Sequence, residues 1–234
     1  MSRQRPLIAV SVGRRGPGAG SVVPRVRPGR AEVVVAERVV ERVRDAGGHV
    51  LLLPPGDPAI LGALNVDAWV LTGGAFDIHP RHYGRAADPS LGVVDEARTV
   101  LELEIARHSA ATGQPLLGLC GGMQAMAVAL GGTLIQDIGT MVPGALEHEQ
   151  PTDPAEPWHE IRAEGRLSGW IGSYVNSTHH QAVEHPGPLS VTGRCADGVI
   201  EALELPGHRF FVGVQWHPEW LAGGLFEALV AACR

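Results

Sequence analysis

Lysine is missing altogether: all 19 basic residues of this 234-residue chain are arginine. A P-loop lysine, a Schiff-base mechanism and a serine–lysine catalytic pair are thereby excluded. Basic residues are also outnumbered by 25 acidic ones, for a formal net charge of −6. A surface without clustered cations has little with which to neutralise phosphates, so nucleic acid is not an expected partner. No apolar run approaches the roughly 18 residues that a membrane helix needs. The opening stretch MSRQRPLIAVSVGRRG is too poor in apolar residues for a good signal core, so the expectation is a cytoplasmic protein without membrane contact. Cysteine is scarce: Cys120, Cys195 and Cys233 are an odd number at no metal-finger spacing, which argues against a disulfide framework and a structural zinc site. At least one thiol is free for chemistry.

What is present suffices for a full core. Hydrophobic residues make up 44% and charged residues 19%, which is the balance of a self-folding globular chain rather than a disordered one. With no internal repeat and no dividing linker, residues 1–234 read as one domain. Short apolar, β-rich runs alternate with longer amphipathic segments, the pattern of a parallel sheet covered by helices. PLIAVSV, HVLLLPPG, DAWVLTGG and PLLGLC read as strands. AEVVVAERVVERVRDAGG reads as a helix with Val35, Val39 and Val43 on one face and a stop at Gly47-Gly48. DEARTVLELEIARHSAATG and GGMQAMAVALGG read as two more helices, and the C-terminal LAGGLFEALVAACR as another, with Leu221, Leu225 and Leu229 aligned. ADGVIEALELPGHRFFVGVQWHPE reads as a β-hairpin turning at Pro206-Gly207. The Arg/Pro/Gly-rich stretch 13–30 lacks periodicity and reads as a loop.

The chemistry concentrates at Gly118-Leu119-Cys120-Gly121-Gly122, a Gly-x-nucleophile-x-Gly pattern between an apolar strand and a helix. Such an elbow lifts the nucleophile to a helix N-terminus, where unpaired N–H groups and the dipole favour a thiolate. A buried structural cysteine is the competing reading. A thiol that attacks a carbonyl needs a base and a group to hold that base. VQWHPEW supplies both: Pro218 biases His217 towards an extended conformation, which lets His217 and Glu219 share a face. An oxyanion needs N–H donors, for which Gly121 and the strand-terminal Gly73-Gly74 are available. The 11 histidines raise the question of a metal. Adjacent His179 and His180 would point to opposite faces, and no His-Glu-x-x-His helix occurs, so no metal and no cofactor are expected.

These residues carry a resemblance. LTGGAFDIHPRHYG, PLLGLCGGMQAMAVALGGTLIQDI, VNSTHHQAV and GVIEALELPGHRFFVGVQWHPEW, in that order, resemble the class I glutamine amidotransferase-like superfamily. Within it they are similar to the γ-glutamyl-γ-aminobutyrate hydrolases, cysteine hydrolases of the peptidase C26 kind. The resemblance implies a three-layer, flavodoxin-like α/β fold with a mostly parallel sheet and a nucleophile elbow. It implies Cys120 as nucleophile, His217 as general base and acid, Glu219 as orienter, and the N–H groups of Gly74 and Gly121 as oxyanion hole. Gln124 matches a glutamine that seats the glutamyl group, and Asn176, His179, His180 and Gln181 match a block that lines the pocket. Two positions depart from the pattern: Gly121 stands where arginine is frequent, and His79 where aspartate is usual. The segment MVPGALEHEQPTDPAEPWHE carries no clear family marker.

The resulting expectation is hydrolysis of a small γ-glutamyl amide to glutamate and an amine, with polyamine catabolism as the pathway the resemblance implies. A glutaminase subunit that hands ammonia to a synthase partner shares the same nucleophile and base. A catalytically silent binding protein on the same fold is the third reading. Relatives of this kind commonly pair, so a homodimer is allowed.

Overall fold

The computed structural model describes residues 5–15 and 32–234. Its chain runs β1 (Leu7–Ser11), β2 (Gly13–Arg15), β3 (Glu32–Val34), α1 (Glu37–Asp45), β4 (His49–Leu53), β5 (Ala68–Leu71), α2 (Glu96–Thr112), β6 (Leu116–Leu119) and α3 (Gly121–Ala129). It continues through β7 (Thr133–Ile135), α4 (Ile138–Met141), β8 (His159–Glu160), β9 (Arg162–Ala163), β10 (Tyr174–Val175) and β11 (Ala182–His185). β12 (Ser190–Arg194), β13 (Ile200–Glu204), β14 (Phe211–Val214) and α5 (Leu225–Ala232) complete it.

The main sheet has the order β4-β1-β5-β6-β14-β13-β11-β7. The first five are parallel neighbours, and from β14 onward the pairing is antiparallel, with β12 attached to β13 and β9 to β12. Alternation along the strands decides the layers. Ala9, Trp69 and Leu71 face a core shared with Leu101 and Ile105 of α2 and Met123 and Met126 of α3. Ile8, Val10, Ala68 and Val70 face the opposite core, closed by Val39 and Val43 of α1 and Leu225 and Leu229 of α5. Strands buried on both faces explain why these runs are apolar without a break. Among the described residues no helix is long and apolar enough to cross a membrane.

Three readings of the sequence are corrected. Residues 13–15 are not loop: they pair antiparallel with Glu32–Val34, and the rest of the stretch read as loop, 16–30, lies outside the described residues. The helix starts only at Glu37, because successive β-branched valines favour extended backbone. Val35 therefore precedes the helix, while Val39 and Val43 are its buried face. Leu221 likewise lies ahead of α5.

Register brings the chemistry together. Leu71 pairs with Gly118 and Leu119 with Val214, so the carboxyl ends of β5, β6 and β14 stop side by side. Ligand sites of open α/β sheets form at such ends.

Candidate active site

Cys120 joins β6 to α3 with φ 50° and ψ −111°, and among the described residues it is the one non-glycine residue with positive φ. A bulky residue held there is strained, and such strain collects at functional sites. The turn is cramped enough that a Cβ on Gly122 would stand 2.3 Å from the Leu71 carbonyl oxygen. Only glycine lets α3 start this close to β5. The intrahelical bonds of α3 begin with Met123 and Gln124 donating to the Cys120 carbonyl, which leaves the Gly121 N–H among the unpaired donors of the first turn.

His217 follows β14, and its imidazole stands beside the Cys120 side chain, the two packed together against Gly73. Its Nδ1 lies 2.9 Å from Glu219 Oε1, and Glu219 is buried. With Nδ1 committed to the carboxylate, Nε2 is left for the cysteine. Burial opposes charge on His217, but its neighbours Cys120 and Glu219 outweigh it and raise its pKa well above the ordinary histidine range. Gln215, two residues before His217 on the same face, approaches Cys120 Sγ with its Nε2 at 3.6 Å.

The loop after β5 completes the site. A Cβ on Gly73 would lie 2.9 Å from His217 Cε1 and 3.1 Å from Cys120 Cβ, so the loop backbone abuts both side chains. Arg98 of α2 sets its orientation. Arg98 Nη2 donates to the Thr72 and Gly73 carbonyls, while its Nε pairs with buried Glu102 at 2.8 Å. In a trans peptide the N–H points opposite to the C=O. Fixing the Gly73 carbonyl on Arg98 therefore turns the Gly74 N–H away from Arg98.

These parts open on a cleft of about 480 Å³ lined by Gly74, Phe76, Asp77, Cys120, Gly121, Gln124 and, opposite them, Glu149, His179, His180, Gln181 and His217. Gln124 has its amide NH₂ on the Gln181 carbonyl at 3.0 Å and on Gln215 Oε1 at 3.3 Å. The adjacent histidines do point apart. His180 Nε2 meets Asp77 Oδ1 at 3.0 Å in the cleft, and this bond raises its pKa against partial burial. His179 turns inward, and burial pushes it down to about 4. Asn176 departs from the expected pocket lining. It is fully buried, accepts from the His217 N–H at 2.9 Å and donates to the His217 carbonyl at 3.0 Å, so it clamps the backbone that carries the imidazole.

The two departures from the family pattern have local explanations. His79 Nδ1 accepts from the Arg81 N–H at 3.2 Å and caps the turn Pro80–Tyr83, the acceptor role in which aspartate is favoured. A Cβ on Gly121 would meet Phe76 at 3.8 Å and the Gly73 Cα at 4.0 Å, ordinary van der Waals contacts, so glycine here relieves no clash. Sequence reasoning missed Arg98, Asp77, Glu149 and Gln215. For Gln215 a signal existed, since it lies at the i−2 position on the face of His217.

The family model described as Peptidase C26 matches residues 20–219. A Mycobacterium tuberculosis protein provisionally named glutamine amidotransferase is 39% identical over 202 residues, which is 82% of this chain and 65% of that protein. The chain thus spans about two thirds of that relative's length. γ-Glutamyl-γ-aminobutyrate hydrolase of Escherichia coli is 33% identical over 241 residues, covering 93% of this chain and 94% of the enzyme. Among solved structures, a Thermoplasma acidophilum protein described as part of a GMP synthase superposes with a TM-score of 0.61 at 16% identity, over 98% of this chain and 95% of that one. The glutaminase domain of Trypanosoma brucei CTP synthase gives 0.56 at 14% identity, over 97% and 93%. The structural likenesses are of fold: a three-layer, flavodoxin-like arrangement of the class I glutamine amidotransferase type.

Proposed function

The chain belongs to the peptidase C26 family and is a glutamine amidotransferase-like hydrolase, and from that footing we propose that it cleaves the γ-amide bond of a small γ-glutamyl amine through a cysteine thioester. The observation that carries this reading is Cys120 at positive φ, beside an imidazole that Glu219 holds from behind. The Cys120 thiolate attacks the γ-carbonyl carbon, and the carbonyl oxygen becomes an oxyanion facing the N–H groups of Gly121 and Gly74. His217 gives its proton to the departing amine nitrogen as the C–N bond breaks, leaving a γ-glutamyl thioester. A water molecule then loses a proton to His217 and attacks the thioester carbon. The C–S bond breaks, glutamate leaves and the thiolate is restored. Every group in this cycle is protein or substrate.

The size of the cleft suits a small amide, and its charged groups suit a zwitterionic head. Asp77 and Glu149 offer carboxylates to an α-ammonium, and His180, whose pKa the bond to Asp77 raises, offers a donor to an α-carboxylate. The reading is tested by assaying the isolated chain on a panel of γ-glutamyl amines, γ-glutamyl-γ-aminobutyrate and glutamine, reading free amine or ammonia. Turnover of amides bulkier than glutamine without any partner supports the proposal. Turnover of glutamine alone, and only with a synthase added, would replace it by ammonia delivery.

A further inference from the structure

Behind the cleft wall, side chains from four separate segments converge. His148 comes from the loop after α4, His159 from β8, His179 from the segment after β10, and Glu201 from β13. Glu201 Oε1 lies 3.5 Å from His148 Nδ1, 3.6 Å from His179 Nε2 and 4.0 Å from His159 Nε2, and each of the four side chains is at most 6% exposed. The two longer separations are not hydrogen bonds and the shortest is at the outer limit of one. Among the described residues His159 Nε2, His179 Nε2 and Glu201 Oε2 are buried without a hydrogen-bond partner. His148 Nδ1 has only the Ser177 hydroxyl, at 3.4 Å. Buried polar atoms left this way are costly, and several around one point call for a ligand.

The outer nitrogens tell the same story by contrast. His148 Nε2 meets Asp197 Oδ2 at 2.9 Å, His179 Nδ1 the Gln181 carbonyl at 3.0 Å and His159 Nδ1 the Glu160 carbonyl at 3.3 Å. A ring nitrogen facing such an acceptor carries the proton, so in the neutral ring the nitrogen turned towards Glu201 presents a bare lone pair. Metal-bound histidines are held this way, with the outer N–H on a carboxylate or backbone carbonyl and the inner lone pair on the ion. Donors bound tetrahedrally to zinc at about 2.0–2.2 Å stand roughly 3.3–3.6 Å apart. From Glu201 Oε1 the observed 3.5 and 3.6 Å match that spacing and 4.0 Å is close to it; the facing atoms of His148, His159 and Glu201 lie within 4.8 Å of one another, and His179 has to close towards the other two histidines to complete the set. Charge also balances, since a dication beside the Glu201 and Asp197 carboxylates sums to zero.

We propose that His148 Nδ1, His159 Nε2, His179 Nε2 and Glu201 Oε1 bind one structural zinc ion. Three imidazoles and one carboxylate in a closed, buried site are borderline donors suited to zinc rather than to magnesium or calcium. The ion's role is to staple the segment of His148 to that of His179, already joined by the His179 N–H on the His148 carbonyl at 3.0 Å. It thereby stiffens the wall from which His180 and Gln181 reach the cleft. This proposal departs from the expectation of no metal, which rested on cysteine spacing and helical histidine motifs that this site does not use.

The test is metal binding by the full chain. After chelator treatment under native conditions, the protein is titrated with Zn²⁺ and separately with Co²⁺, with metal content read by mass spectrometry. One equivalent per chain, a rise in Tm on loading and the intense visible bands of tetrahedral cobalt are expected. His159→Ala and Glu201→Gln are expected to lose the equivalent. Asp197→Asn is expected to keep it with affinity about 10–100-fold weaker. Cys195→Ser is expected to bind as wild type, which separates this site from the neighbouring grouping of His148, Cys195 and Asp197. A folded wild-type chain that binds no equivalent overturns the proposal without recourse to any variant. Retention by a folded His159→Ala protein, or loss in Cys195→Ser, overturns the ligand assignment.

Discussion

Two cysteines of this chain are buried to nearly the same degree, Cys120 at 7% exposure and Cys195 at 4%, yet their neighbours are of opposite sign. Cys120 sits on a helix N-terminus beside a histidine whose pKa is raised well above the ordinary range. Cys195 donates its S–H to Asp197 Oδ1 at 2.8 Å and lies 3.9 Å from Glu201 Oε1. Burial and these carboxylates push its thiol far above the ordinary range. Fractional exposure therefore does not separate the two thiols; the sign of the adjacent charge does. The backbone repeats the contrast, since Cys120 adopts positive φ and Cys195 does not.

The contrast breaks most visibly if Cys120 is not the attacking atom. Cys120→Ala is expected to lower γ-glutamyl amide hydrolysis by at least about 10⁴-fold with an unchanged fold. It removes the sulfur and little volume. Residual turnover within tenfold of wild type, in protein with native circular dichroism, would transfer the chemistry elsewhere. Next in size is Glu219→Gln, expected to cost about two orders of magnitude less than loss of the nucleophile. Its sharper readout is pH. His217 lies above its ordinary 6.5 despite burial because Cys120 and Glu219 raise it. The imidazolium therefore survives as pH climbs through the ordinary range, and activity falls only when it deprotonates. Withdrawing the Glu219 charge lowers that pKa, so the alkaline limb of kcat/KM should move to lower pH. An unmoved limb would detach Glu219 from His217. Gly73→Ala comes third, because its Cβ would press on His217 Cε1 at 2.9 Å. Displacing the imidazole by a fraction of an ångström to an ångström should reduce kcat by up to about 10²-fold while KM stays near wild type.

The two regions also differ in how far their sequence could be read. The elbow was legible because its parts are local. Cys120 and its flanking glycines are contiguous, and His217 and Glu219 are two residues apart after an apolar strand. The parallel strands were legible for a related reason: burial on both faces leaves uninterrupted apolar runs such as residues 68–71. Arg98 was not legible, since an Arg–Glu pair four residues apart in a helix reads as a solvated pair, and only the fold reveals both members as buried. The histidine cluster escaped for lack of any spacing. His148 and His159 belong to a stretch without periodicity, and Glu201 is on a strand whose five residues are all buried. Nothing local distinguishes a carboxylate placed there for a ligand from one left there by register.

The smallest expected effect is the one that tests the cysteine contrast most directly. Native protein at neutral pH, treated with limiting iodoacetamide, should be alkylated at Cys120 with parallel loss of activity, while Cys195 remains unmodified until the chain is unfolded. Cys120 lines the cleft and Cys195 does not, so access and charge both predict faster reaction at Cys120. Cys195→Ser should then leave turnover within about threefold, under roughly 0.7 kcal/mol of barrier. It keeps a donor for the Asp197 carboxylate and removes nothing from the cleft. Peptide mapping after alkylation decides the matter: equal labelling of Cys195 and Cys120 in the folded protein would mean that the carboxylates beside Cys195 do not suppress its thiolate, and the contrast between the two sites would be lost.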